Sequence, residues 1–384
     1  MSALTRLTFD QNTNQKLGYL PALDGLRAVA IIAVMLFHLK TKSFFPGGGI
    51  GVDLFFVLSG FLITTLLLQE WATGNHISLK RFYQRRFLRL FPAVAIFLAT
   101  YITINLAFQS QDFTGRQSDD LLLQNVAFIS VYGFNWLVAL GGDAGRGLSH
   151  LWSLSVEEQF YLVWPVVLLV ALRVHVSALQ IMAVSSLIVV GSAALPFMLD
   201  GDWARFYYGT DFRLQSVVVG ALLAQFYVAG ILRLDITRGL LFRIVLLLAA
   251  LMLVLVVLFG RNHAGMLFHG GHTLVALCSA VLVLGALYRE GNVFAAILAN
   301  PVLVYIGQRS YALYLWHAAI NVWLQAVEPV PHFLLTVTLS LFTAELSYRL
   351  VESPALALKA RLAPRSEATS KVPIVGEGES KAAA

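Results

Sequence analysis

Apolar stretches near the length of a bilayer crossing recur along almost the whole chain, separated by short polar breaks. A spanning helix needs roughly 20 consecutive, mainly apolar residues. That pattern predicts an all-α fold, a polytopic transmembrane helix bundle of about ten spans. They are roughly 26–45, 50–69, 90–108, 153–172, 177–198, 213–230, 240–259, 272–288, 302–324 and 333–352. The longest connection, 109–152, carries Asp112, Asp119 and Asp120 and then a shorter apolar segment, "LLLQNVAFISVYGFNWLVAL". Counting 121–140 as an eleventh span would put the basic loops on inconsistent sides. It is therefore expected to be re-entrant or interfacial.

Basic residues orient the bundle. Lys80, Arg81, Arg85, Arg86 and Arg89 lie between the second and third spans, and Arg233, Arg238 and Arg243 between the sixth and seventh. Lys359, Arg361 and Arg365 follow the tenth, and Arg6 and Lys16 precede the first. All fall on one side, which the positive-inside rule makes cytoplasmic, so both termini are expected there. Lys40 and Lys42 run against this trend but are outnumbered. The expected division is a cytoplasmic segment 1–22, a transmembrane domain 23–358 and a disordered cytoplasmic tail 359–384, which is small, polar and Pro/Gly-punctuated. The polar N-terminus followed by a full-length apolar run does not read as a cleavable signal peptide. No internal repeat is evident.

Composition agrees. The chain is 58% hydrophobic and 12% charged, with mean hydropathy +0.75, against roughly 25% charged residues in a soluble domain. The net charge of +6 is assigned to cytoplasmic loops and the membrane surface, not to nucleic acid. The single cysteine, Cys278, can form no intrachain disulfide.

The first span poses a chemical question, because "RAVAIIAVMLFH" begins with Arg27 and ends with His38. Eleven steps of about 100° make three turns plus about 20°, so both side chains share one face, about 16 Å apart along the axis. A guanidinium suits a phosphate, and an imidazole suits proton transfer. A long ligand with a phosphorylated head and a reactive tip, such as a coenzyme A thioester, could touch both. The structural alternative makes Arg27 a topology anchor and His38 a hydrogen-bonded packing residue.

With this spacing the chain resembles the acyltransferase-3 family of bacterial integral-membrane O-acyltransferases. "LDGLRAVAIIAVMLFH" is similar to that family's opening helix with its R-x10-H spacing, and "GIGVDLFFVLSGFLIT" (50–64) resembles its second-span motif. "RRFLRLFP" (85–92) resembles its arginine motif, with Arg86 and Arg89 at the R-x-x-R positions, and "LSHLWSLSVEEQFYLVWP" (148–165) its fourth-span signature. Weaker matches are "DFRLQSVVVGALLA", "IGQRSYALYLWH" and "YRLVESP". The resemblance covers about 20–355 and implies a multi-pass protein of the bacterial inner (plasma) membrane. It implies transfer of an acyl group, usually acetyl, from acetyl-CoA or another acyl-CoA to a hydroxyl. The acceptor would be a glycan, a glycolipid or a macrolide-type metabolite, and the histidine matching His38 would be essential.

Acyl transfer from a thioester needs a base for the acceptor hydroxyl or a nucleophile to carry the acyl group. His38 is the candidate for either role. Asp53, near the outer end of the second span, is a candidate to orient it; the alternative is a helix N-terminal carboxylate. Ser149, His150 and Trp152 are candidates for contacting the acceptor, Trp152 alternatively being an interfacial tryptophan. Glu157 and Glu158 are candidate catalytic carboxylates in the outer half, on the side of the chamber expected around His38; because they are about 100° apart on a helix, only one of them is expected to face it. Ser155 and Glu158 also fit an S-x-x-E capping box.

Arg27, Arg85, Arg86 and Arg89 are candidates for the coenzyme A phosphates, against the alternative of anchors or anionic-lipid contacts. In the ninth span Tyr314 and His317, three residues apart, are placed on the tunnel wall, Tyr314 toward the donor and His317 toward the acceptor. A packing pair is the alternative. Glu345, Arg349 and Glu352 are expected to pair within the tenth span. His76, His175, His263, His269, His272 and His332 fall mostly in or near loops, with no spacing that demands a metal. The rival function is a proton-coupled transporter or flippase, which intramembrane His, Asp and Glu would also suit. Paired half-repeats and matched broken helices, the usual marks of such carriers, are not evident. A catalytically dead scaffold is the third possibility, against which Arg27, His38 and the arginine motif count.

Overall fold

A computed structural model describes residues 9, 17–38, 45–107, 119–199, 201–232, 237, 239–260, 265, 267–288, 292–325 and 327–361. Arg6, Lys16, Lys40, Lys42, Asp112, Arg233, Arg238, His263 and Arg365 lie outside the described residues, as do most of the N-terminal segment and the tail from 362.

The described chain is helical, with no strand among the described residues. In hydrocarbon a backbone must satisfy its own hydrogen bonds, and a helix does so within one segment. The helices are α1 (Pro21–His38), α2 (Gly51–Gly74), α3 (Leu79–Ala107), α4 (Asp119–Ser130), α5 (Phe134–Ala139), α6 (Trp152–Arg173), α7 (Ala178–Met198) and α8 (Trp203–Tyr208). Then follow α9 (Thr210–Val228), α10 (Leu240–Phe259), α11 (His272–Leu287), α12 (Val293–Leu298), α13 (Pro301–Gln308), α14 (Ser310–Trp323), α15 (Pro329–Ser347) and α16 (Ser353–Arg361). Local signals mark several starts. Pro21 and Pro301 occupy first-turn positions, where a missing N–H costs nothing. Ser177 and Gln180 form a reciprocal capping box at α7.

Eight of the described helices are long and apolar enough to cross a membrane, so the protein is a multi-pass membrane protein. Two of the ten expected spans differ. The segment 213–230 is helical in α9, but Asp211, Arg213, Gln215 and Gln225 interrupt its apolar run. The segment 302–324 breaks at Arg309 into α13 and α14. The 121–140 stretch forms two short helices around a turn at 131–133. The longer, α4, rises only about 18 Å, too short to span.

The third span starts earlier than the hydropathy pattern suggested. "KRFYQRRFLRLFP" is not a loop but the first turns of α3. Its arginines therefore sit on a helix that continues into the bundle.

Helix α2 is the central element; 78% of its most apolar window is buried, against 17% for α10, which faces outward. Where α2 crosses α9 the backbones touch. A Cβ added to Gly60 would lie 1.9 Å from the Val217 carbonyl oxygen, and one on Gly220 would lie 2.0 Å from that of Val57. Small residues at such a crossing let backbones approach and gain dispersion contacts where lipid offers no hydrophobic drive. Helix α1 packs on α2, α13 and α14, which brings Arg27 and His38 inside the bundle.

Gly60→Val should force α2 and α9 apart and lower stability by at least about 1–3 kcal/mol. The check is the thermal midpoint of detergent-solubilised protein, and an unchanged midpoint would refute the backbone contact.

Candidate active site

Three polar layers sit within the apolar bundle. The first is a cavity between α1, α2, α3, α6 and α14. Its walls include Arg27 from α1, Phe55 and Ser59 from α2, Arg86 and Arg89 from α3, Ser153, Glu157 and Tyr161 from α6, and Tyr311 and Tyr314 from α14. Arg27 pairs with Asp24, three residues earlier on the same helix, at 2.6 Å. The other Asp24 oxygen accepts from the Tyr19 hydroxyl at 3.0 Å, and Tyr19 accepts from Gln308 at 3.0 Å. Arg86 lies over the Tyr161 ring at 4.9 Å and the Phe82 ring at 5.8 Å. Such stacking steadies a guanidinium without using its N–H groups.

Glu157 also lines this cavity, accepting from Ser59 at 3.0 Å and Tyr161 at 3.1 Å. Three guanidinium groups against the Glu157 and Asp24 carboxylates leave the site with surplus positive charge, suited to a polyanion. Two expectations change here. Arg85 is half-buried but is not among the cavity's lining residues. Glu157 belongs with the arginines and was expected in the outer chamber with His38.

Of the two adjacent glutamates, Glu157 lines the cavity and Glu158 does not. Glu158 is buried on another face, and its Oε1 has no hydrogen-bond partner. It makes no capping box. A single turn, Ser149–Leu151, leads into α6, and the cap position is held by Leu151, so Ser155 falls inside the helix.

The second layer is a cluster of three histidines. His38, the last residue of α1, has its ring centroid 5.1 Å from that of His317 on α14 and 6.5 Å from that of His150. The His150 and His317 centroids are 5.2 Å apart. His38 Nδ1 lies 2.9 Å from the Val34 carbonyl oxygen and 3.3 Å from His317 Nε2. His150 Nε2 faces the Leu315 carbonyl at 3.2 Å, and its buried Nδ1 has no partner. Tyr314 joins the two layers. It lines the arginine cavity, its hydroxyl binds Ser153 and the His150 carbonyl, and its ring is 5.9 Å from that of His317.

The third layer corrects the assignment of Asp53. This fully buried carboxylate accepts from Ser216 at 2.7 Å, faces His272 Nδ1 at 3.1 Å and pairs with Arg213 at 3.4 Å. His38 takes its ring partner from α14. Trp152 is likewise neither an interfacial tryptophan nor an open platform for a sugar. It is buried, with Arg213 5.0 Å from its ring and Tyr207 packed beside it. Sequence reasoning missed Arg213, Ser216 and His272 as partners. An arginine inside an apolar span was the available signal, because it must find a counter-charge. His272 is the buried first residue of α11, and His332, also buried, contacts the Asn321 carbonyl at 3.1 Å; neither is a loop histidine.

Ser149 is half-buried in the turn before α6. In the last span Glu345 bonds Arg349, as expected, and also Arg309 and Tyr305. Glu352 is buried apart from that pair, with Oε1 unpartnered. Among the described residues no cluster of His, Cys, Asp or Glu has metal-holding geometry.

Asp53→Ala would strand the Arg213 charge in the interior, at a cost of about 3–5 kcal/mol. The expected result is a large drop in thermal midpoint. Combining Asp53→Leu with Arg213→Met should restore much of it, and no recovery would show that the pair does more than balance charge.

A family model described as an acyltransferase domain matches residues 20–348. Among curated proteins, one of Staphylococcus aureus (strain COL), named "Putative O-acetyltransferase SACOL0978", is 34% identical over 355 residues, covering 88% of this chain and 58% of that protein. The O-acetyltransferase OatA of Staphylococcus aureus (strain NCTC 8325 / PS 47) is 33% identical over 350 residues, covering 88% of this chain and 57% of its own length. The chain thus spans a little over half the length of these relatives. No solved structure matches. The match over nearly all of the helical bundle, with the R-x10-H and R-x-x-R residues gathered inside it, shows that the chain belongs to this acyltransferase family.

Proposed function

We propose that the protein is a membrane-embedded O-acyltransferase. It moves an acyl group, acetyl by analogy with its named relatives, from cytoplasmic acyl-CoA to a hydroxyl of an extracytoplasmic or lipid-linked carbohydrate-type acceptor. The bundle would sit in the bacterial inner membrane with about ten crossings, both termini cytoplasmic.

One observation carries this most. The cavity that collects Arg27, Arg86 and Arg89 is also lined by Tyr314, whose ring lies 5.2 Å from that of His150 and 5.9 Å from that of His317. A donor with a polyphosphate head and a thioester tip fits that polarity. Phosphates would engage the three guanidinium groups, and the thioester would extend past Ser153 and Tyr314 toward His38. The acceptor would approach from the opposite side, where the turn holding Ser149 and His150 meets α14.

His38 acts there as general base or acyl carrier. As base it takes the acceptor hydroxyl proton while the oxygen attacks the thioester carbon. The C–O bond forms, the C–S bond breaks, and the departing thiolate takes the proton back. A positioned base of this kind contributes roughly 10²–10⁴-fold in rate. Asp53 has no part in this step, since Ser216, His272 and Arg213 occupy it.

Purified protein supplied with radiolabelled acetyl-CoA and envelope glycans or lipids should label an acceptor, and His38→Ala should abolish labelling at normal protein levels. Full activity in that variant would refute the assignment. Arg86→Gln and Arg89→Gln should each raise KM for acetyl-CoA roughly 10- to 100-fold, the worth of one charged hydrogen bond. Acetyl-pantetheine, which lacks the phosphates, should lose nothing; equal losses for both donors would remove the phosphate role.

A further inference from the structure

The hydrogen bonds around the histidine cluster identify which nitrogen of His38 reacts. A neutral imidazole has one N–H, and which nitrogen carries it follows from what the other groups require. His317 Nδ1 lies 2.9 Å from two carbonyl oxygens, those of Leu313 and Tyr314. Carbonyl oxygens only accept, so the His317 proton is on Nδ1 and its Nε2 carries the lone pair. That Nε2 is 3.3 Å from His38 Nδ1, so His38 Nδ1 must be the donor. The Val34 carbonyl, 2.9 Å from the same Nδ1, makes the same demand. The lone pair of His38 is therefore on Nε2.

We infer that His317 and Asn321, four residues apart on one face of α14, are the positioning residues that hold His38 with Nε2 as its reacting nitrogen. The Val34 carbonyl belongs to the same helix as His38, so it orients the ring but ties it to no neighbouring helix. His317 supplies a partner from another helix, and burial at 1% exposure with two carbonyls behind it leaves its ring little freedom. Asn321 donates from Nδ2 to the His38 carbonyl oxygen at 3.0 Å. The Asn321 main chain is held in turn by His332 at 3.1 Å. Helix α14 thus grips both the ring and the backbone of His38. Elsewhere a reactive or metal-bound histidine is commonly oriented through its second nitrogen in this way, most often by a carboxylate or carbonyl. Here an imidazole does it, adding no charge to the apolar interior.

This inference rests on the proposed role of His38. During transfer the acceptor proton would move to Nε2 while Nδ1–H stays on His317 and Val34. The resulting imidazolium would be stabilised through that same N–H until the thiolate leaving group takes the proton from Nε2.

The test combines kinetics with ¹⁵N-histidine magic-angle-spinning spectra of reconstituted protein, the His38 signals being assigned by difference against His38→Gln. Wild type should show His38 protonated at Nδ1 and unprotonated at Nε2. His317→Leu should lower kcat roughly 10²-fold, the cost of misplacing a catalytic group. KM for acetyl-CoA should not change, and His38 should become a mixture of tautomers. His317→Gln, whose amide oxygen can accept in place of Nε2, should recover most of the rate. Asn321→Ala should lower kcat and leave the tautomer unchanged. A kcat for His317→Leu within about twofold of wild type, with His38→Ala inactive, overturns the positioning role and leaves the proposed function standing. Full activity of His38→Ala overturns the function instead. If His317→Leu does not accumulate, the wild-type spectrum decides alone: His38 protonated at Nε2 ends the inference.

Discussion

Charge inside an apolar bundle is costly unless each group meets a partner or a ligand, and that constraint organises this molecule. The interior holds an arginine cavity, a histidine cluster and a buried Asp53–Arg213–His272 set. Each meets the constraint differently. Asp53 and Arg213 neutralise each other and leave little for a ligand. His38 and His317 bond to each other, and each of the three rings has a nitrogen facing a backbone carbonyl. The arginine cavity is only partly compensated, by Asp24 and Glu157, so it is the layer that invites an anion.

Helix packing makes those layers possible. The close crossing of α2 and α9 at Gly60 and Gly220 draws Asp53 against Ser216 and Arg213. The break at Arg309 frees α14 from α13, and α14 then runs beside α1 with His317 and Asn321 turned toward it. A straight span through 302–324 would have carried these residues on a different course. Arg309 is itself tied down at the break by Glu345 of α15.

The two ends of the proposed reaction path are chemically unlike, and Tyr314 stands between them. On one side lie guanidinium groups able to bind phosphate; on the other lie imidazoles able to move a proton. Its hydroxyl ties α14 to Ser153 and to the His150 backbone, so the spacing between phosphate site and base is set by contacts between two helices. That arrangement suits transfer from a long donor to a separate acceptor better than a solute pathway across the bilayer.

Local pattern determined the helical class, most crossings and the shared face of Arg27 and His38, because helix geometry is regular and the apolar length needed to cross is a property of each segment alone. Local pattern could not reveal partners contributed by distant segments. Asp53 lies 160 residues from Arg213 and 219 from His272, and nothing in the spacing of either hints at the pairing. The start of α3 was misjudged because hydropathy registers where a helix becomes apolar, whereas backbone hydrogen bonding carries it eleven residues further back, from 90 to Leu79. Tertiary structure alone decided that His317 and Asn321, rather than Asp53, hold His38. A neutral ring bonded across two helices leaves no mark on composition, charge or periodicity.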